Sequence, residues 1–159
     1  MSLRLQSWMA VVVAYQSCTR KYSQMLEEFG LTAPQFDVLL AVDALQAQAT
    51  PKHIAQRLLV TKGNVTGVLS RLESAGLIER RPHAQDGRSM VCSLSATGQH
   101  TLDLARRAAA AFIEQQLAPF DDEAVNRIGQ DMRRMTQHLR NLDPVAIAQQ
   151  VSSAAERGA

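Results

Sequence analysis

The sequence is short of nearly everything from which an active site is built. Its two cysteines, Cys18 and Cys92, do not make a disulfide framework. The four histidines, His53, His83, His100 and His138, are scattered, and no HExxH or CxxC spacing aims two ligands at one metal. There is no GxGxxG, no Walker sequence and no GxSxG. The paired carboxylates, Glu27-Glu28 and Asp121-Asp122, fall where helices are expected to end or begin and read as helix-end charges. No catalytic residue, metal site or cofactor is expected. Long apolar runs are missing as well: MAVVVAY covers only seven residues, far from a membrane span. The amino terminus has few early positive charges and no small-residue cleavage site after an apolar run. A cytoplasmic protein without membrane association is expected.

What is there is enough for a packed core. The chain has 159 residues, 46% of them hydrophobic, which argues against disorder and fits one domain or one binding unit with an added association region. The net charge of +2 says little by itself. Its distribution says more. Between Thr50 and Ser93, Lys52, Arg57, Lys62, Arg71, Arg80, Arg81 and Arg88 face only Glu73, Glu79 and Asp86. The rest of the chain is therefore net acidic, and the positive charge is gathered where phosphate binding would need it.

That basic stretch has a recognisable order. Pro51 stands in the opening turn of a short helix, where its missing N–H costs nothing. Ile54, Ala55 and Leu58 line one face, and Ala55 is small enough to let a second helix cross closely. Leu59 and Val60 fill a tight turn, and Thr61 can cap the next helix through its hydroxyl. Val65, Val68, Leu69 and Leu72 then form one buried stripe, and Gly76 ends the helix. The outer face is left with Lys62, Gly63, Asn64, Thr66, Gly67, Ser70 and Arg71, none of them bulky and apolar. A basic hairpin follows: Leu77 to Arg81, a turn through Pro82 to Gly87, and Arg88 to Ser95, with Met90, Cys92 and Leu94 alternating with Val91 and Ser93.

The flanks read as helices. Ser2 to Phe29 carries Leu5, Trp8, Met9, Val12, Tyr15, Tyr22 and Leu26 near one face and is closed by Gly30. Thr32 and Gln35 form a capping box before a helix to about Gln46. Ser95 can cap an alanine-rich helix to Leu117, expected to lie deep between others, with Pro119 as its stop. Asp121 opens the last major helix, where Phe120 and Val125 can form a staple. Val125, Ile128, Met132, Met135, Leu139 and Leu142 give it a seam of nearly heptad period. Such a seam suits either a face buried within one chain or a contact between two. Asp143-Pro144 breaks the helix, and Val145 to Val151 form a short extra one.

At LTAPQFDVLLAV (31–42), VTGVLSRLESAGLIERR (65–81) and DGRSMVCSLSATG (86–98), the chain resembles the MarR family of winged-helix transcriptional regulators. The resemblance covers roughly Leu5 to Leu142 and rests on the order and spacing of these segments together. It implies a mainly α fold with a small β-wing, the winged helix-turn-helix being inserted between dimerisation helices: 1–30, 31–95 and 96–159. The implied function is sequence-specific binding of a homodimer to a palindromic operator in double-stranded DNA, most often as a ligand-responsive repressor. The Thr61 helix would enter the major groove. Thr61 and Gly63 would lie at its approach to phosphates, Lys62, Asn64 and Thr66 at or near base edges, and Ser70 on the same face. Arg71 would anchor a phosphate or the wing, and Arg80 and Arg81 would flank the DNA backbone. Arg88, oriented by Asp86, would reach the minor groove. Gly67 departs from the larger, often basic, residue that many members carry. The family often binds small aromatic or phenolic anions, for which Trp8, Tyr15 and Phe36 are the candidate lining residues, although aromatics at helical spacing are more often core filling.

Two rival functions follow from other features. Cys18, in the first helix, invites a redox-sensing regulator, since some MarR-like proteins sense peroxides through a cysteine there; but it lies further along that helix than the resemblance suggests for such sensors, and Arg20 and Lys21 only partly share its face. A winged helix can also serve as a protein-interaction module that never touches DNA, against which the basic hairpin and the uncrowded outer face of the Thr61 helix argue.

Overall fold

The computed structural model describes residues 1–82 and 89–157. They form helices α1 (Leu3–Glu27), α2 (Ala33–Leu45), α3 (Pro51–Leu58), α4 (Lys62–Ser74), α5 (Ala96–Leu117), α6 (Asp122–Arg140) and α7 (Pro144–Arg157), with strands β1 (Ile78–Pro82) and β2 (Met90–Leu94) between α4 and α5. The chain divides into two compact units, Met1–Ile113 and Glu114–Ala159. Among the described residues no helix is long and apolar enough to cross a membrane.

In the first unit α2 is the hub, packed against α1, α3, α4 and β2. Its sequence explains why. Phe36, Val38, Leu39, Ala41 and Val42 are buried on more than one face, so α2 cannot be a surface helix with a single apolar stripe. Around it, Leu26 and Leu31, Ile54 of α3, Val65, Leu69 and Leu72 of α4, and Leu102 of α5 close the core. The Gln35 half of the capping box is in place, its Oε1 accepting from Thr32 N–H at 2.8 Å. A 3-10 turn, Gln46–Gln48, carries the chain from α2 toward α3.

Three helices of this unit end in one way. After α1, Leu31 N–H donates to Leu26 O at 3.1 Å and Gly30 N–H to Glu27 O at 2.9 Å, the paired bonds of a Schellman end. After α4, Leu77 and Gly76 bond Leu72 O and Glu73 O in the same manner, both at 2.9 Å. Gly30 and Gly76 have φ of +68° and +69°, the left-handed backbone this closure requires. After α3 the bonds recur, Val60 N–H to Ala55 O at 3.1 Å and Leu59 N–H to Gln56 O at 3.4 Å, but the left-handed position is Leu59.

β1 and β2 pair antiparallel, from Ile78 opposite Leu94 to Pro82 opposite Met90. Cys92, opposite Arg80, donates its N–H to Ala49 O at 2.9 Å, which ties the outgoing strand to the entrance of α3. Ser95 caps α5 as its hydroxyl suggested: the oxygen accepts from Gly98 N–H at 2.9 Å and itself donates to Gly76 O at 2.6 Å. The alanine-rich helix is less deeply placed than its composition implies. Gly98, Leu102, Ala105 and Ala109 are buried, but Ala110, Ala111 and Ile113 are exposed, because one face alone meets the core.

The second unit is simpler. Asp121 caps α6, its carboxylate accepting from Ala124 N–H at 2.8 Å. No residue of α6 is buried, and its seam stays open: Ile128, Met132 and Met135 are each 38% exposed, and Leu139 and Leu142 more so. α7 starts at Pro144, where Asp143 accepts from Val145 N–H at 2.9 Å, and runs past Val151, longer than the sequence pattern indicated.

Candidate nucleic-acid interface

The helix-turn-helix is built from α3 and α4. Thr50 caps α3, its hydroxyl accepting from His53 N–H, and Thr61 caps α4, accepting from Asn64 N–H, both at 3.3 Å. Val65, Val68, Leu69 and Leu72 turn one side of α4 into the core, at 1%, 8%, 0% and 0% exposure. The opposite side, with Lys62, Gly63, Asn64, Thr66, Gly67, Ser70 and Arg71, is exposed along its whole length. A Cβ at Gly67 would meet nothing within 4 Å, and one at Gly63 only Thr61 Oγ1 at 4.0 Å. Packing within the chain therefore does not require glycine at either position; their effect is to keep this face low.

Several polar groups on the face are partly committed. Thr66 Oγ1 donates to Lys62 O at 2.9 Å, and the same oxygen can still accept. Arg71 Nε donates to Gly67 O at 3.3 Å and keeps the rest of its guanidinium for another partner. Lys62 and Asn64 make no side-chain bond among the described residues. Asn64 and Arg71 also line a cavity of about 400 Å³ behind the helix, with Pro34, Asp37, Val38 and Leu58 among its walls. Partial burial pushes the Asp37 carboxyl above the usual carboxylate range.

The hairpin supplies two arginines of different kinds. Arg81 is extended and pairs with Glu79 at 2.7 Å, with 76% of its side chain exposed. Arg80 is folded inward, 18% exposed, with Nη2 donating to Ser70 Oγ at 3.2 Å and Nε facing Glu73 Oε2 at 3.2 Å. It lies over the buried Cys92 thiol, which burial pushes up; nearby Arg80 draws it down and Glu73 pushes it up again. Asp86 and Arg88, chosen from the sequence for the wing tip, lie outside the described residues.

Of the three candidate ligand residues, two lie at the surface and one in the core. Trp8 and Tyr15 are 62% and 71% exposed on α1, whereas Phe36 is 3% exposed, because α2 turns it into the core. Phe36 instead meets Tyr22 edge-on at 6.4 Å, and Tyr22 meets Phe112 at 5.5 Å. Burial, with Asp37 and Cys18 adding to it, raises the Tyr22 hydroxyl above its ordinary value. Sequence spacing put Tyr22 on one helix face with Leu26, but nothing local could have paired it with Phe112, distant in the chain. Cys18 is partly exposed and Cys92 buried.

A short helix, a tight turn, a second helix with a free polar face and a two-stranded antiparallel hairpin behind it define a winged helix-turn-helix. The comparisons with known proteins agree. The model of the MarR family matches residues 29–89. An uncharacterized HTH-type transcriptional regulator of Bacillus cereus is 32% identical over 115 residues, which span 72% of this chain and 74% of that protein. Among solved structures, AbsC, a MarR family transcriptional regulator from Streptomyces coelicolor, superposes with a TM-score of 0.77 at 18% identity, over 89% of this chain and 98% of that one. A mutant MarR from E. coli complexed with operator DNA gives a TM-score of 0.72 at 21% identity, over 85% and 99%. The chain belongs to the MarR family of transcriptional regulators.

Proposed function

We propose that the protein binds a palindromic operator as a homodimer, acts most simply as a repressor, and is released by a small aromatic or phenolic effector. The observation that carries this reading is the state of α4: capped, anchored by its apolar side, and exposed along a low polar face that begins with Lys62 and Asn64. An α-helix with such a face fits the major groove. Asn64 suits an adenine edge, the Thr66 methyl a thymine methyl, and Lys62 a guanine edge or a phosphate. Arg71 and Arg81 suit the backbone, as do the amide groups of the first turn of α4, next to the Thr61 cap. Arg88, oriented by Asp86, completes the reading as the minor-groove contact of the wing.

Surface that one chain leaves uncovered supports the dimer. Leu5, Trp8 and Met9 of α1 are 44–62% exposed, and the α6 seam is open along its length. Apolar stripes of this kind are covered by a partner, and a second copy covers them with two-fold symmetry. Two-fold symmetry in turn calls for an inverted repeat, with half-sites one helical turn or so apart. An effector acts by its difference in affinity between dimers with correctly and incorrectly spaced reading helices.

The test is selection of duplexes from a randomised pool, followed by footprinting. Enrichment of an inverted repeat, protected in two major-groove segments on one face of the duplex, is expected. A pool that stays random after repeated rounds would contradict the proposal.

A further inference from the structure

Ser70 and Glu73 are three residues apart on α4 and so share one face of the helix that the proposed function places in DNA. Both are held by one side chain from the hairpin, Arg80 of β1, through Nη2 to Ser70 Oγ and Nε to Glu73 Oε2, each at 3.2 Å. The Nε is shut off from solvent and is not aligned with Glu73 as a hydrogen bond would be, so that contact is chiefly coulombic. Directly across the ladder from Arg80 is Cys92, which has no exposed surface and is tied through its N–H to Ala49 at the entrance of α3. Arg80 therefore stands where the reading helix, both strands of the hairpin and the start of the preceding helix meet. An arginine whose side chain is only 18% exposed, with its fork turned to α4, is badly placed to flank the DNA backbone.

We propose that Arg80 is a positioning residue: by clamping Ser70 and Glu73 it fixes the reading helix and the wing at one mutual angle, so that both engage duplex DNA at once. This inference rests on the DNA-binding reading above and adds to it. It assigns Glu73 a role opposite to that of an ordinary surface carboxylate. An acidic side chain beside a DNA-binding face repels phosphate, so its removal should tighten binding to any duplex. As half of the clamp, its removal frees Arg80, loosens the angle and weakens binding to the matched site.

The experiment compares Glu73→Gln and Arg80→Gln with wild type on two probes: the duplex that wild type enriches from a randomised pool, and a scrambled duplex of equal length. Glu73→Gln is expected to lose on the order of tenfold in affinity for the enriched duplex, a size typical of coupled contacts, with scrambled binding unchanged or tighter. Glu73 is half exposed, so the variant keeps its fold, checked by an unchanged melting temperature. Arg80→Gln is expected to weaken binding to the enriched duplex without changing its salt slope, whereas a lost phosphate contact lowers that slope by about 0.9. Exchanging the charges, Glu73→Arg with Arg80→Glu, is expected to restore part of the affinity. Binding of the enriched duplex by Glu73→Gln as tightly as wild type, or more tightly, overturns the clamp while leaving the DNA-binding reading intact. A wild-type protein that enriches nothing overturns both.

Discussion

Gly98 lies against the backbone of Leu77 so closely that a Cβ at position 98 would sit 1.8 Å from the Leu77 carbonyl oxygen and 2.8 Å from its carbon. That contact locks the start of α5 onto the segment that joins α4 to the hairpin. The Ser95 hydroxyl reinforces it by bonding both Gly76 O and Gly98 N–H. The neighbour is backbone, which cannot move aside as a flexible side chain can. Gly98→Ala is therefore expected to destabilise the fold by about 3 kcal/mol, at the upper part of the overpacking range. Urea unfolding measures it; an unchanged midpoint would mean that the two segments separate freely.

The turn of the helix-turn-helix holds strain that can be released. Leu59 has φ of +56° and is 88% exposed, so it bears the cost of a left-handed backbone and gains almost nothing from packing. That cost is roughly 1–2 kcal/mol, against which glycine loses about 0.5–1 kcal/mol of unfolded-chain entropy. Leu59→Gly is expected to stabilise the protein by about 0.5–1 kcal/mol, matching the turn to the Gly30 and Gly76 ends. Thermal denaturation showing the variant less stable would refute this.

The Asp37 carboxyl is raised by partial burial, so in the window just above its ordinary range the folded chain binds more protons than the unfolded chain. Stability then falls as pH rises through that window and stays at the lower level above it. Asp37→Asn is expected to remove this slope and to be more stable than wild type at neutral pH but not below the window. Chemical unfolding at about pH 4 and about pH 7 separates the cases; parallel profiles for the two proteins would assign the pH dependence elsewhere.

Met135, in the open seam of α6, is 38% exposed in a single chain. A glutamate there would lose its water on association and find no partner. Met135→Glu is expected to shift a wild-type dimer toward monomer in sedimentation at micromolar concentration, with helix content unchanged. A wild-type protein that sediments as a stable monomer contradicts the dimer itself.

What was legible in the sequence was what the chain decides locally. Gly30 and Gly76 closed their helices, Thr61 and Asp121 capped theirs, and the stripe of Val65, Val68, Leu69 and Leu72 faced inward, since each depends on neighbours within about one turn. Contacts between distant residues were not legible. Arg80 carried the same composition signal as Arg81, yet one is drawn onto α4 by Ser70 and Glu73 and the other stands in solvent beside Glu79. The edge-on contact of Phe36 with Tyr22 was equally hidden, since nothing in the surroundings of either residue announced the other. The Arg106–Asp43 pair at 2.6 Å joins α5 to α2 across more than sixty residues and left no local trace. Leu59 concealed its strain because a leucine argues for negative φ, so nothing local marked this turn as left-handed.

The central claim is that the exposed face of α4 and the basic hairpin engage the phosphate backbone of duplex DNA. The direct measurement is the affinity for a duplex as a function of salt, for wild type and Lys62→Ala. A linear fall of log K against log salt is expected, with slope about −0.9 for each phosphate neutralised, together with weaker binding by Lys62→Ala throughout. Affinity independent of salt, or no binding to duplex even at low salt, would contradict the account.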